Sequence, residues 1–267
     1  MRRLKKIIRN KYYQIKIIIR NLKFYLFTKI SSNSKNLNVF DIPIIIISFN
    51  QLFYLKKLID FLKESGYKNI VIIDNNSTYK PLLDYFETIK NEVKLHLLNE
   101  NFGHSVFWKI NEINQKYTHG YYALTDPDIN PYENCPKDFL KHFKNILDKN
   151  INISKVGFSL SIDDIPENNE NKSKILLWEN KFWELENKDG DFIAEIDTTF
   201  ALYKPIRFSD AENFYKAIRT KKPYIARHGG WYIDHKNLTM EQEFYINTAN
   251  SSSSWLSKKS NLINFKY

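Results

Sequence analysis

Asp126-Pro127-Asp128 is the sharpest chemical feature of the sequence. Two carboxylates flanking a proline repel each other at neutral pH unless a cation or hydrogen-bond donors sit between them, and the ring restricts how they swing apart. Carboxylates supplied in ones and twos, with substrate phosphates completing the shell, are how Mg2+ or Mn2+ is held. The tripeptide therefore points to a diphosphate substrate on a divalent metal, although by itself it serves equally as an Asx-type turn ahead of a helix starting at Lys137. Three more polar clusters accompany it: Ser48-Phe49-Asn50, Asp74-Asn75-Asn76-Ser77 and Asn101 to Ser105. Each is ordinary turn vocabulary, and the second, read alone, is a structural turn.

The surrounding pattern explains how such clusters could meet. Isoleucines 44 to 47 read as a buried parallel strand, and Leu52, Leu55, Leu58, Ile59 and Leu62 then repeat at helical spacing up to Gly66. Strands at 70–73, 93–98, 121–125 and 155–160 alternate with helices at 81–90, to about 117, and 137–148. This predicts an α/β fold, a mostly parallel mixed sheet with helices on both faces. In such sheets ligands bind beyond the carboxyl ends of the strands, which is where the polar clusters fall. Residues 161–195 form a polar, acidic excursion carrying Trp178, Phe182 and Trp183. Further along, the pattern predicts a strand over 198–203, a helix over 205–220, a strand over 223–228 and a helix over 240–249. That last helix opens on Thr239 and Gln242 at capping-box spacing.

The order IIIISFN (44–50), IIDNNS (72–77), NENFGHS (99–105) and ALTDPD (123–128) resembles the family-2 glycosyltransferases of GT-A fold, whose DxD motif holds a divalent metal under a sugar nucleotide. The resemblance covers residues 43 to about 160. Downstream, IDTTFALYKP (196–205) is similar to the family's acceptor-side strand and ARHGGWYID (226–234) to its late histidine segment. It implies a GT-A-like single domain that moves a sugar from a nucleotide-sugar, UDP-linked by preference, to a hydroxyl of a surface-glycan acceptor such as lipooligosaccharide or capsule, with inversion. By that resemblance Ser48, Asn50, Asp74, Asn101 and Gly103 line the nucleotide pocket. Asp126 and Asp128 contact ribose and metal, and His228 is a further ligand to Mn2+ or Mg2+. The chain departs from the family at its acidic pair, for which Asp210-Ala211-Glu212 ahead of Arg219 is an imperfect match. Asp234, Asp197 and Glu243 compete as the base, with Asp234 favoured because it follows the turn carrying Trp231 and Tyr232, a candidate acceptor platform. His104 and Cys135 are read as structural.

Composition places the remaining charge. The chain carries 40 Lys plus Arg against 30 Asp plus Glu in 267 residues. Residues 1–30 hold ten of those cations and no acid, so the remainder is formally neutral. The basic arm interleaves Ile, Tyr and Phe without an uncharged stretch long enough to cross a bilayer, and suits the surface of an anionic membrane at the cytoplasmic face. A helix packed on the domain is the plainer reading of the arm, and nucleic acid is disfavoured because the body continues no basic footprint. The domain organisation read from this is an arm over 1–30, a linker over 31–40 and a catalytic domain over 41–267. Seven glycines, none in a Rossmann or P-loop pattern, and one cysteine exclude those nucleotide folds and a disulfide or zinc framework. Two rivals remain. A sugar-phosphate nucleotidyltransferase would need a glycine-rich loop where Ser48-Phe49-Asn50-Gln51 stands, and a non-catalytic membrane-binding adaptor would use the arm alone.

Overall fold

The computed structural model describes residues 38–205 and 214–249, together with a helical stretch, α1, through residues 8–16 and the neighbouring positions 6, 18, 19, 22 and 26. The remainder of the basic arm, positions 31–37 of the expected linker, Asp210, Glu212 and Ser251 to Ser254 lie outside the described residues. After a single 3-10 turn at Val39–Asp41, β1 (Ile44–Ser48) enters the centre of a mixed sheet. It pairs in parallel with β2 (Ile70–Asp74) on one side and β4 (Tyr122–Thr125) on the other, and β3 (Lys94–Leu97) continues beyond β2.

All five residues of β1 and all five of β2 are buried, so the strands need cover on both faces. The period of two delivers it. Ile44 and Ile46 face a core closed by α2 (Phe53–Glu64), α3 (Lys80–Ile89) and α6 (Phe139–Lys149), while Ile45 and Ile47 face α4 (Val106–Lys109) and α5 (Asn111–Tyr117). The expected α/β architecture with helices on both faces is what the chain adopts.

The second half changes direction. After β6 (Lys155–Leu160) and α7 (Lys172–Glu179), β8 (Ala201–Tyr203) runs antiparallel between β4 and β6, and β9 (Ala217–His228) lies parallel to β6. Short β7 (Phe192–Ile193) and β5 (Ile129–Pro131) flank β9 antiparallel, giving the spatial order β3-β2-β1-β4-β8-β6-β9-β5 with β7 on β9. The carboxyl ends of β1, β2, β4, β6 and β9, and the start of β8, therefore open on one edge.

Two expectations are corrected here. The helix over 205–220 gives way at 217–220 to β9, where Ile218 and Thr220 alternate into the sheet and pairing with both β6 and β7 overrides local helical spacing. The strand expected from Thr198 begins only at Ala201, leaving 198–200 as a loop at the open edge. The pattern also gave no warning of β5, whose Pro131 lacks an N–H and suits the sheet edge it occupies.

The insertion of β8 depends on Gly157. A Cβ there would lie 2.2 Å from the Phe200 carbonyl oxygen and 2.9 Å from the Ala201 Cβ. Gly157→Ala is expected to cost at least about 1–3 kcal/mol, measured by urea denaturation, and parental stability would contradict this close approach.

Candidate active site

A cleft of about 240 Å³ opens at that edge. Asp126, Pro127 and Asp128 form its centre directly after β4. Asp126 keeps some surface open to the cleft yet is enclosed by protein on nearly every side. Burial raises its carboxyl well above the ordinary carboxylate range, the neighbouring Asp128 and Asp197 raise it further, and a hydrogen bond from Thr198 Oγ1 at 2.6 Å lowers it.

Asp128 faces His228, at the end of β9. Its Oδ2 lies 3.3 Å from His228 Nδ1, and the same nitrogen accepts from the Gly230 N–H at 3.2 Å. Two acceptor atoms thus face one another, an arrangement relieved by a cation or an added proton between them. Trp231 stacks on the imidazole at 5.1 Å and 9°, fixing its plane. Gly230 leaves the space beside this pair open, since a Cβ there would sit 3.2 Å from His228 Nδ1 and 3.6 Å from Asp128 Oδ2.

Hard carboxylate oxygens with one imidazole suit Mn2+ or Mg2+, with other positions left to substrate phosphates. The fit is to an incomplete shell: among the described residues no group of three or more His, Cys, Asp or Glu side chains is arranged to hold a metal by itself.

The sequence-predicted residues divide into those that line the cleft and those that support it. Asn101, Gly103, Asp126, Asp128, Asp197, His228 and Trp231 line it. Ser48, Asn50 and Asp74 are buried behind the lining at 0%, 0% and 2% exposure. Asn50, with φ +49°, accepts from the Thr78 and Tyr79 N–H groups and donates to Thr248 Oγ1 of α8 (Met240–Thr248), tying that helix to the first strand loops. Asp74 accepts from Ser77 N and Oγ, the structural turn that the tetrapeptide suggests alone. Their neighbour Asn75 reaches the cleft instead. It donates to the Gly103 carbonyl and accepts from Phe102 N, so it shapes the 101–103 loop.

The favoured base does not reach the cleft. Asp234 sits in a local surface turn, accepting from Lys236 N and Asn237 Nδ2, and these bonds hold its carboxyl below the usual range. Tyr232 donates to Asp164 and does not line the cleft, and Glu243 lies on α8 away from the lining. Asp197 does line it, at the turn into β8. His104, read as structural, is also a lining residue, whereas Cys135 is buried and its thiol is pushed up to about 12.

Sequence reasoning also missed two supports. Arg219 and Glu179 meet as a buried ion pair in the cleft wall. Glu179 had no local signal beyond the aromatic residues around it, and Arg219 was placed on a helix. Lys155, fully buried on β6, donates to the Asp197 carbonyl and the Tyr203 hydroxyl, both at 3.3 Å, with its Nζ 3.6 Å from the Phe214 ring centroid. It braces the Asp197 turn from below.

No protein-family model matches the chain, and no curated protein matches it in sequence. Solved structures give distant likenesses. A mannosyltransferase from Pyrobaculum calidifontis in complex with GDP-Man and Mn2+ is 12% identical, over 87% of this chain and 70% of that one, with TM-score 0.43. S. aureus TarS 1-349 is 17% identical, over 77% and 62%, with TM-score 0.45. A cytidylyltransferase from Leptospira borgpetersenii serovar Hardjo-bovis is 10% identical, over 62% and 60%, with TM-score 0.34. Scores this low at such identities assign neither an activity nor a ligand to this chain.

Burial pushes the Lys155 amine down to about 7, below its value in an unfolded chain. The unfolded state then binds more protons between pH 7 and about 10, so this residue makes stability rise with pH across that window. Lys155→Met is expected to remove a slope of up to ~1.4 kcal/mol per pH unit from urea-denaturation profiles at pH 7–9. Parallel profiles for the two proteins would contradict a lysine desolvated in this way.

Proposed function

We propose that this chain is a metal-dependent glycosyltransferase that moves a sugar from a nucleotide-sugar, UDP-linked by preference, to a hydroxyl of a surface-glycan acceptor such as lipooligosaccharide or capsule. The observation that carries the reading is the facing of Asp128 and His228 beside Asp126, with open space over Gly230 at the carboxyl edge of the sheet. Asp128 and His228 would hold Mn2+ or Mg2+, with Asp126 beside them. Bound there, the ion supplies Lewis-acid stabilisation of charge on the departing diphosphate.

The chain's own residues do the rest. Asn101, Gly103 and Asn75 form the wall toward the first strands and take the nucleoside. Asp197 is the base of this reading, because among the described carboxylates singled out as base candidates it is the one that lines the cleft. Its carboxylate takes the proton of the acceptor hydroxyl as that oxygen bonds to the anomeric carbon. The bond from that carbon to the diphosphate oxygen breaks and its electron pair leaves with the nucleotide. A single in-line displacement of this kind inverts the anomeric centre.

The arm supports a location for the enzyme. In α1 and the described positions after it, Ile8, Tyr12, Ile15, Ile18 and Leu22 are 54% to 63% exposed, among Lys6, Arg9, Lys11 and Lys16. No helix among the described residues is long and apolar enough to cross a membrane. In this reading the arm lies in an anionic leaflet at the cytoplasmic face, each cation contributing about 1 kcal/mol near the surface.

Two experiments test this. Asp128→Asn should lower Mn2+-dependent release of UDP from UDP-sugars by about a hundredfold or more while leaving thermal unfolding unchanged, and full activity would overturn the assignment. Deleting residues 1–30 should abolish co-sedimentation with phosphatidylserine vesicles and preserve transfer to a soluble acceptor. Unchanged vesicle binding would remove the arm from the account.

A further inference from the structure

The Arg219–Glu179 pair is more elaborate than a structural ion pair requires. Both side chains are nearly sealed, at 5% and 1% exposure, in the wall that also carries Trp178, Phe182 and Asp197. A buried ion pair roughly breaks even against well-packed apolar residues, so stability alone does not account for one at this position. The pair is also held rigidly. Arg219 sits on β9 opposite Gly157 of β6 and Phe192 of β7. Its Nε donates to the Glu195 carbonyl at 2.8 Å, its Nη1 donates to Glu179 Oε1, and its guanidinium lies 4.0 Å from the Phe182 ring centroid.

These contacts leave specific groups over. Arg219 Nη2 and Glu179 Oε2 have no hydrogen-bond partner among the described residues, and both residues line the cleft. An unused donor and an unused acceptor therefore belong to one paired unit in the cleft wall. Thr199 Oγ1, another lining residue from the loop before β8, is buried without a partner. The pair carries no net charge, which disfavours an anion and suits neutral hydroxyl groups. Phe182 and Trp178 beside it offer apolar surface of the kind that the C–H face of a pyranose covers.

We propose that Arg219 and Glu179 read two adjacent hydroxyl groups of the transferred sugar, Nη2 donating to one oxygen and Oε2 accepting from the next, and so select the donor's sugar by its ring stereochemistry. This rests on the glycosyltransferase reading and names the residues that set its donor specificity. With the diphosphate held at Asp128 and His228 in that reading, Arg219, Glu179 and Asp197 line the cleft from the half of the sheet built by β8, β6 and β9, and Asn75 and Asn101 from the β2–β3 half, so the sugar would extend toward the pair. A site whose buried polar groups are satisfied only by the correct hydroxyl rejects an epimer strongly, because the wrong sugar leaves them unpaired.

The test compares UDP-glucose with UDP-galactose, and UDP-N-acetylglucosamine with UDP-N-acetylgalactosamine, which differ within each pair at one hydroxyl. Mn2+-dependent donor hydrolysis is measured for the full-length protein, Glu179→Gln, and the double variant Glu179→Gln/Arg219→Met, which leaves no lone buried charge. UDP binding is measured in parallel by calorimetry. The wild type is expected to prefer one epimer, and both variants to lose about tenfold or more of that preference with UDP affinity unchanged. Wild-type protein that binds no UDP in Mn2+ would overturn the glycosyltransferase reading itself. UDP binding without epimer discrimination, or discrimination that survives in both folded variants, would overturn the role of this pair alone. Should Glu179→Gln fail to fold, the double variant decides.

Discussion

Desolvated negative charge at the end of β4 is the constraint around which this molecule is organised. Asp126 and Asp128 are separated by a single proline and placed where protein, not water, surrounds much of their surface. Burial alone would push such a carboxyl toward its neutral form, and a second carboxylate beside it strengthens that tendency. The structure supplies partial compensation through Thr198. Among the described residues no Lys or Arg pairs with either carboxylate: Arg219 is engaged by Glu179, and Lys155 by the Asp197 carbonyl and the Tyr203 hydroxyl. In the proposed function, a ligand arriving with its own cation would complete the balance.

Much of the fold follows from bringing that point into contact with the rest of the cleft. The parallel half of the sheet places the loops after β1, β2 and β3 on one side. The antiparallel β8 then reverses the chain so that Asp197 and Thr198 approach from the other, and β9 returns His228 to the same edge. Gly157 lets β8 enter, and Gly230 keeps the space over Asp128 open. Buried Lys155 and the Arg219–Glu179 pair stiffen the far wall, where a sugar would be read, whereas the near wall is built from neutral amide side chains and backbone.

The sequence exposed the first half of this arrangement far better than the second. Isoleucines 44 to 47 and 70, 72 and 73 read as buried strands, and the tripeptide after β4 stands out by charge repulsion, although alone it serves equally as a turn and only its place in the strand order points to a site. The Asp74 turn is legible in the tetrapeptide itself, but the support that Asn50 gives and the turning of Asn75 into the cleft are not, because both rest on contacts with loops 28 or more positions away. Asp234 misled for a related reason: proximity in sequence to His228 does not bring it to the cleft when an intervening 3-10 turn at Gly229–Trp231 turns the chain away. Arg219 and Glu179, forty positions apart, carry no local pattern that joins them. Their pairing depends on β9 extending over 217–220, a choice made by tertiary contacts on both sides of the strand.

The central claim is that the Asp128–His228 pair holds a divalent cation together with a nucleoside diphosphate. Anomalous diffraction from crystals grown with Mn2+ and UDP tests it most directly. The account predicts one Mn2+ peak in the cleft within bonding distance of Asp128 and His228, together with the bound nucleotide. A nucleotide bound in the cleft without that peak, or Mn2+ located away from Asp128, would contradict it.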